Sequence, residues 1–131
     1  MRPSVSRAVS APADAVWDLL THVSAWPEWG PTVSGATVPA GVIRPGARGT
    51  VRTAVGLSLP FEVTRFEAGR AWAWSVAGVP ATDHHVRPTP EGCVVTFVVP
   101  WWAPGYLVVC ALALRRLERL AVDGRVPPPA A

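Results

Sequence analysis

The chain has 131 residues, half of them apolar and only 16 % charged, which fits one domain with its own core and excludes a disordered chain. The formal charge is +3, and all twelve basic residues are arginines, scattered except for Arg115, Arg116 and Arg119. No basic stripe with interleaved aromatics results, so a nucleic-acid partner is not expected.

Residues 3–9 alternate weakly and predict a first strand. Ser10 as N-cap, Pro12 near the start and Asp14 in the first turn predict a helix from about residue 11 to Thr21. Ala13, Val16, Trp17 and Leu20 follow the i, i+3, i+4, i+7 pattern and give it one apolar face. Val23 to Glu28 reads as a short second helix or turn, closed by Gly30-Pro31.

From there the character changes to β-rich runs separated by turn signals, among them Pro45-Gly46, Ala68-Gly69 and Gly78-Val-Pro80. Strands are expected near 33–38, 48–55, 58–67, 70–78, 81–87 and 93–99, with hairpin-length connections that make the sheet antiparallel. After Pro100 the period becomes helical: Tyr106, Cys110, Ala113, Leu114, Leu117 and Leu120 share a face, and Gly124 suits the C′ position. This final helix is expected to cover the apolar face of the sheet. Residues 1–125 then form one domain, and the proline-rich 126–131 segment is expected to be a disordered tail.

Cys93 and Cys110 are too few for a disulfide framework and match no zinc spacing, so both are expected to pack as small hydrophobes. No phosphate loop, nucleophile–base arrangement or metal-ligand spacing is visible, and no cofactor is expected. Arg2 and Arg7 precede no uninterrupted apolar stretch, a poor match to a signal peptide, so a cytoplasmic location is expected. The longest apolar run, Trp101 to Leu114, is interrupted by Pro104 and Gly105 and is shorter than the roughly 20 residues a spanning helix needs, so a membrane partner is not expected either.

Ala11-Pro-Ala-Asp-Ala-Val-Trp17-Asp-Leu-Leu, followed by Val23-Ser-Ala-Trp26-Pro-Glu-Trp29, resembles the N-terminal signature of the polyketide cyclase/dehydrase-like family of the START/Bet v 1-like (SRPBCC) superfamily. Gly46-Ala-Arg-Gly49, Phe61-Glu-Val-Thr-Arg-Phe66-Glu-Ala-Gly-Arg70 and Ala81-Thr-Asp-His84 continue the resemblance through the strands. It implies an α+β helix-grip fold: a seven-stranded antiparallel sheet curved around a long C-terminal helix, with two short helices between strands 1 and 2. It also implies a cavity between helix and sheet that takes hydrophobic molecules such as lipids, sterols or polyketides.

Alternation places Trp72, Trp74 and Val76 on one strand face, taken as concave. Two tryptophans there can stack on a planar ligand or fill the core. Phe61 and Val63, and Val95, Phe97 and Val99, are offered as wall residues by the same alternation. Thr82, His84 and Val86 take one face of their strand and Asp83, His85 and Arg87 the other, which makes His84 the best inward polar group. It can orient a ligand, act as a base near neutral pH, or sit as a satisfied core histidine.

Tyr106, on the helix face toward the sheet, is the natural acid–base partner of His84, and Cys110 and Leu114 extend that face. Trp26, Pro27 and Trp29 can close the cavity mouth but more readily pin the short helices to the sheet. Trp29 and Trp102, the latter in the loop entering the last helix, are offered as ligand-binding residues. Val108 and Leu112 fall on the opposite side of the helix, where exposed apolar residues suggest a homodimer contact, a membrane surface or a lid. Three functions fit: a binder of a hydrophobic small molecule, a cyclase or dehydratase using His84 and Tyr106, and a filled-core interaction protein.

Overall fold

The structure is a computed structural model that describes residues 2–124; the expected tail at 126–131 lies outside them. Seven strands form one curved antiparallel sheet: β1 (Ser4–Val9), β2 (Val33–Thr37), β3 (Arg48–Thr53), β4 (Ser58–Glu67), β5 (Ala71–Val76), β6 (Val79–Thr89) and β7 (Gly92–Val98). Their spatial order is β1-β7-β6-β5-β4-β3-β2. Consecutive strands from β2 to β7 are neighbours, while β1 and β2 lie at opposite edges. The connection between those edges carries α1 (Ala13–Thr21), a 3₁₀ turn (Val23–Ala25) and α2 (Trp26–Trp29). The last helix, α3 (Leu107–Val122), follows a 3₁₀ turn at Pro104–Tyr106, and the helix-grip arrangement is complete.

Two starts differ from the sequence reading. Helix α1 begins at Ala13 rather than near residue 11, and Ser10 does not cap it. Ala11 precedes a proline, which disfavours helical backbone, and Pro12 itself is extended at φ −60°, ψ 146°. Asp14 instead accepts the N–H of Ala15 at 2.9 Å in the first turn. Tyr106 likewise precedes α3 instead of lying on it, because Pro104-Gly105 holds the chain in a 3₁₀ turn up to that residue. At the other end of α3, Gly124 takes the left-handed conformation expected of C′, with φ 69°.

The C-terminus of α1 shows how the WPEW segment is fixed. The last four carbonyls of a helix have no partner within it. Here Asp18 O accepts the His22 N–H at 3.0 Å, and Thr21 O accepts the Ile43 N–H at 3.0 Å. Leu19 O accepts the Trp29 indole N–H at 2.8 Å, and Leu20 O accepts that of Trp26 at 2.9 Å. Both tryptophans are buried, so two large apolar groups also terminate the helix.

The concave face of the sheet is the core wall. Phe61, Val63, Trp72, His84, Val86, Cys93, Val95 and Phe97 are all buried, as are Cys110, Ala113, Leu114, Leu117 and Leu120 of α3. Close approach at the sheet edge requires glycine at position 49, where a Cβ would lie 2.1 Å from Thr37 O and 2.9 Å from the Phe61 ring. Val108 and Leu112 are exposed on the outer side of α3, as the helical phase predicts. Both cysteines are free and buried. Among the described residues, no helix is long and apolar enough to cross a membrane.

Candidate functional site: two chambers joined at Thr82

Trp72, His84 and Phe97 are direct cross-strand partners on β5, β6 and β7. The rings follow that register: Trp72 stacks on His84 at 4.0 Å between centroids, and Phe97 meets His84 edge-on at 4.9 Å. From the helical side, Trp26 stacks on the other aromatic partner, Trp72, at 5.5 Å and 9°. Phe61 and Trp74 complete the cluster, each within 5.6 Å of the Trp26 centroid. Most of the space between sheet and helices is therefore filled by aromatic rings.

Two voids remain. An inner chamber of about 40 Å³ is lined by Trp26, Trp29, Trp72, Trp74, His84 and Phe97, and by Val109, Cys110 and Ala113 of α3. That volume suits one or a few water-sized groups. An outer chamber of about 350 Å³ is lined by Val33, Val51, Thr53, Trp74, Val76 and Val79 through Thr82, with Pro100, Trp102 and Ala103 from the loop before α3. Thr32, Val33, Trp74, Thr82 and Tyr106 line both. The larger chamber thus lies under the loop that enters the covering helix, and the smaller one between α3 and the sheet.

Local backbone irregularity opens the outer chamber. Between Ala73↔Asp83 and Ser75↔Pro80 the pairing advances two residues on β5 and three on β6. This bulge breaks strict alternation, so the consecutive residues Val79, Pro80, Ala81 and Thr82 all reach the same void.

A directed hydrogen-bond chain runs along the boundary between the chambers. Trp74 Nε1 lies 3.1 Å from Thr82 Oγ1, Thr82 Oγ1 lies 3.1 Å from His84 Nε2, and His84 Nδ1 lies 3.3 Å from Trp72 O. Its ends set its direction, since an indole N–H only donates and a carbonyl only accepts. Nδ1 must carry the proton of a neutral His84, Nε2 must accept, and Thr82 must donate to it while accepting from Trp74. Burial pushes the His84 pKa down to about 4, against the smaller upward pull of the Trp72 carbonyl and the Asp83 carboxylate. His84 is therefore neutral at pH 7. Asp83 faces the other way and pairs with Arg2 at 2.6 Å.

Tyr106 is 37 % exposed at the mouth, and its hydroxyl lies 2.7 Å from that of Thr32. Burial raises its pKa, partly offset by the Thr32 hydrogen bond. The bond ties the 3₁₀ turn before α3 to the segment entering β2.

Of the candidate wall residues, Trp29, Trp72, His84, Phe97 and Cys110 line the inner chamber, Val76 and Trp102 the outer, and Trp74 and Tyr106 both. Phe61, Val63, Val95 and Leu114 are buried and line neither. His84 and Tyr106 both border the inner chamber, but each is hydrogen-bonded to other residues. Thr82 was legible as an inward residue from its alternation with His84. Thr32, Pro100 and Ala103 carried no sequence signal, because they depend on loop placement, and Thr53 closes β3 without an alternation that singles it out, whereas Trp102 was a candidate. Among the described residues no cluster of three or more His, Cys, Asp or Glu side chains could hold a metal ion.

Comparison with known proteins places this geometry. The model of a family described as "Polyketide cyclase / dehydrase and lipid transport" matches residues 2–121. The chain belongs to this family. Solved structures with the same fold include protein MLL2253 from Mesorhizobium loti, at 18 % identity and a TM-score of 0.77 over 95 % of this chain and 98 % of that one. Another is SSP2350 from Staphylococcus saprophyticus, at 16 % identity and a TM-score of 0.75 over 99 % and 98 %. The AHSA1-like protein from Aeromonas hydrophila aligns at 16 % identity and a TM-score of 0.73 over 95 % and 94 %. At such identities the likeness speaks for the fold. Among proteins with curated descriptions none matches. Family and fold together fit a ligand-binding role.

Proposed function

We propose that this protein binds a hydrophobic small molecule, of the lipid, polyketide or aromatic kind, in the outer chamber, with Tyr106 and Thr82 orienting it. The observation that carries the proposal is the chamber itself. Its volume of about 350 Å³ is more than twice the roughly 150 Å³ that holds a benzene in an engineered apolar cavity. Its walls are mostly valine, proline, alanine and tryptophan, with threonine and tyrosine hydroxyls and the two indole N–H groups as the polar side-chain groups. Ligand sites are commonly apolar enclosures of about 300–1,000 Å³ with a few placed polar groups.

The geometry favours binding over catalysis by His84. A general base needs an accessible lone pair and a pKa near the working pH. His84 is 3 % exposed, its accepting nitrogen is occupied by Thr82, and its pKa is far below neutrality.

Trp102 and Trp74 in the chamber wall supply the readout. Titration with a panel of apolar ligands should change tryptophan fluorescence saturably at one site, and His84→Ala should retain binding. Failure of every apolar ligand to produce a saturable change would remove the proposal.

A further inference from the structure

The accounting of donors and acceptors around the chamber narrows the ligand class, on the reading that the outer chamber is the binding site. No residue lining the outer chamber carries a charge; the lining has no Asp, Glu, Arg or His. A carboxylate or ammonium taken into such a wall loses its hydration without a countercharge. The chamber therefore selects against ligands that carry their charge into it.

Thr82 then sets the polarity of a ligand's hydrogen-bonding group. A threonine hydroxyl has one donor and two acceptor sites. The donor is committed to His84 Nε2, and one lone pair receives Trp74 Nε1–H. What remains is a single acceptor lone pair on a buried side chain that lines both chambers. A ligand carbonyl or ether oxygen has nothing to receive from Thr82, whereas a hydroxyl or N–H can donate to it. We infer that the part of the natural ligand inside the chamber is uncharged and mainly apolar and bears a hydroxyl or N–H donor that bonds Thr82 Oγ1, as an alcohol or phenol does. The Thr32–Tyr106 hydroxyl pair, which shares two protons and uses one internally, keeps one donor for a second polar group of the ligand near the mouth.

A matched set on one ring system tests this: 1-naphthol as donor, 1-methoxynaphthalene as acceptor only, 1-methylnaphthalene as the apolar control and 1-naphthoate as the ion. Each is titrated at pH 7 against the wild type, Thr82→Val and Thr82→Ser. The affinity ratio of 1-naphthol to 1-methoxynaphthalene should fall about fivefold in Thr82→Val, the value of one hydrogen bond, and persist in Thr82→Ser. 1-Naphthoate should bind at least ~100-fold more weakly than 1-methylnaphthalene. An unchanged ratio in Thr82→Val, or naphthoate binding equal to methylnaphthalene, overturns the inference and, in the first case, the orienting role of Thr82, while leaving apolar binding in the chamber intact. Failure of every uncharged member of the set to bind overturns both. Should Thr82→Val not fold, the Trp74 indole N–H resonance of the wild type decides: both ligands move it by ring current, 1-naphthol should move it further through the bond to Thr82, and equal shifts count against the inference.

Discussion

At the closed end of the interior, Trp26 lies flat against Trp72, Trp72 against His84, and Phe61 and Trp74 fill the edges, so that only about 40 Å³ is left. At the open end, Trp102 is 54 % exposed, and valines, proline and alanine surround about 350 Å³. Both ends use tryptophan on an apolar wall. What differs is what each ring meets. Inner rings are held by cross-strand register and by the carbonyls at the end of α1, whereas Trp102 sits on a loop that only borders the sheet. The same residue type thus stabilises the fold where two regular elements converge on it and lines a ligand space where one side is a loop.

The comparison is most easily broken at its closed end. Trp72 is 1 % exposed, and Trp72→Ala should cost about 3–5 kcal/mol in urea unfolding, the usual range for an aromatic deleted from a packed core. A loss below about 1 kcal/mol would mean that the aromatic stack is not core.

The next effect depends on pH. The unfolded chain takes up a proton at His84 as pH falls through about 6.5, while the folded protein does so only near pH 4. His84 therefore contributes its full stability above pH 6.5 and loses it progressively toward pH 4, by about 3 kcal/mol in all. His84→Gln should remove that part of the slope between pH 6.5 and 4. A slope identical to the wild type's would show that His84 is solvated.

A smaller gain is expected in the hairpin beside the open chamber. Ala77 and Gly78 form the two-residue β5–β6 turn with φ of 52° and 79°. Left-handed backbone is unfavourable for alanine, and Ala77→Gly should stabilise the protein by about 1 kcal/mol. Trp102→Ala should change unfolding by less than about 0.5 kcal/mol yet weaken apolar ligands several-fold. A large stability loss there would erase the contrast between the two ends.

Much of the fold was legible because its signals are local. Alternation through Phe61-Glu-Val63 and Thr82-Asp-His84 assigned the inward face, and the Trp26-Pro-Glu-Trp29 turn marked the end of the helical connection. The candidate site was less legible. Its main chamber depends on the bulge that brings Val79 through Thr82 to one void, on the 3₁₀ turn that keeps Tyr106 off α3, and on where Pro100 to Ala103 lie against the sheet. None of these leaves a periodic trace. Phe61, Val63, Val95 and Leu114 have the right face for a wall but are buried without bordering either chamber, and Trp26 and Trp74 pack against Phe61. Facing inward is a property of one strand; bordering a void is a property of everything opposite it.

The central claim is that the outer chamber, and not the aromatic core, receives the ligand. Val76 lines that chamber at the far end of the strand carrying Trp72 and Trp74. Titrating 1-methylnaphthalene into the wild type and into Val76→Phe tests the claim directly. Saturable one-site binding in the wild type that is weakened at least ~10-fold in Val76→Phe, with unfolding stability held within about 1 kcal/mol, is the expected result. Equal affinity in the two proteins, or no saturable binding in either, would contradict it.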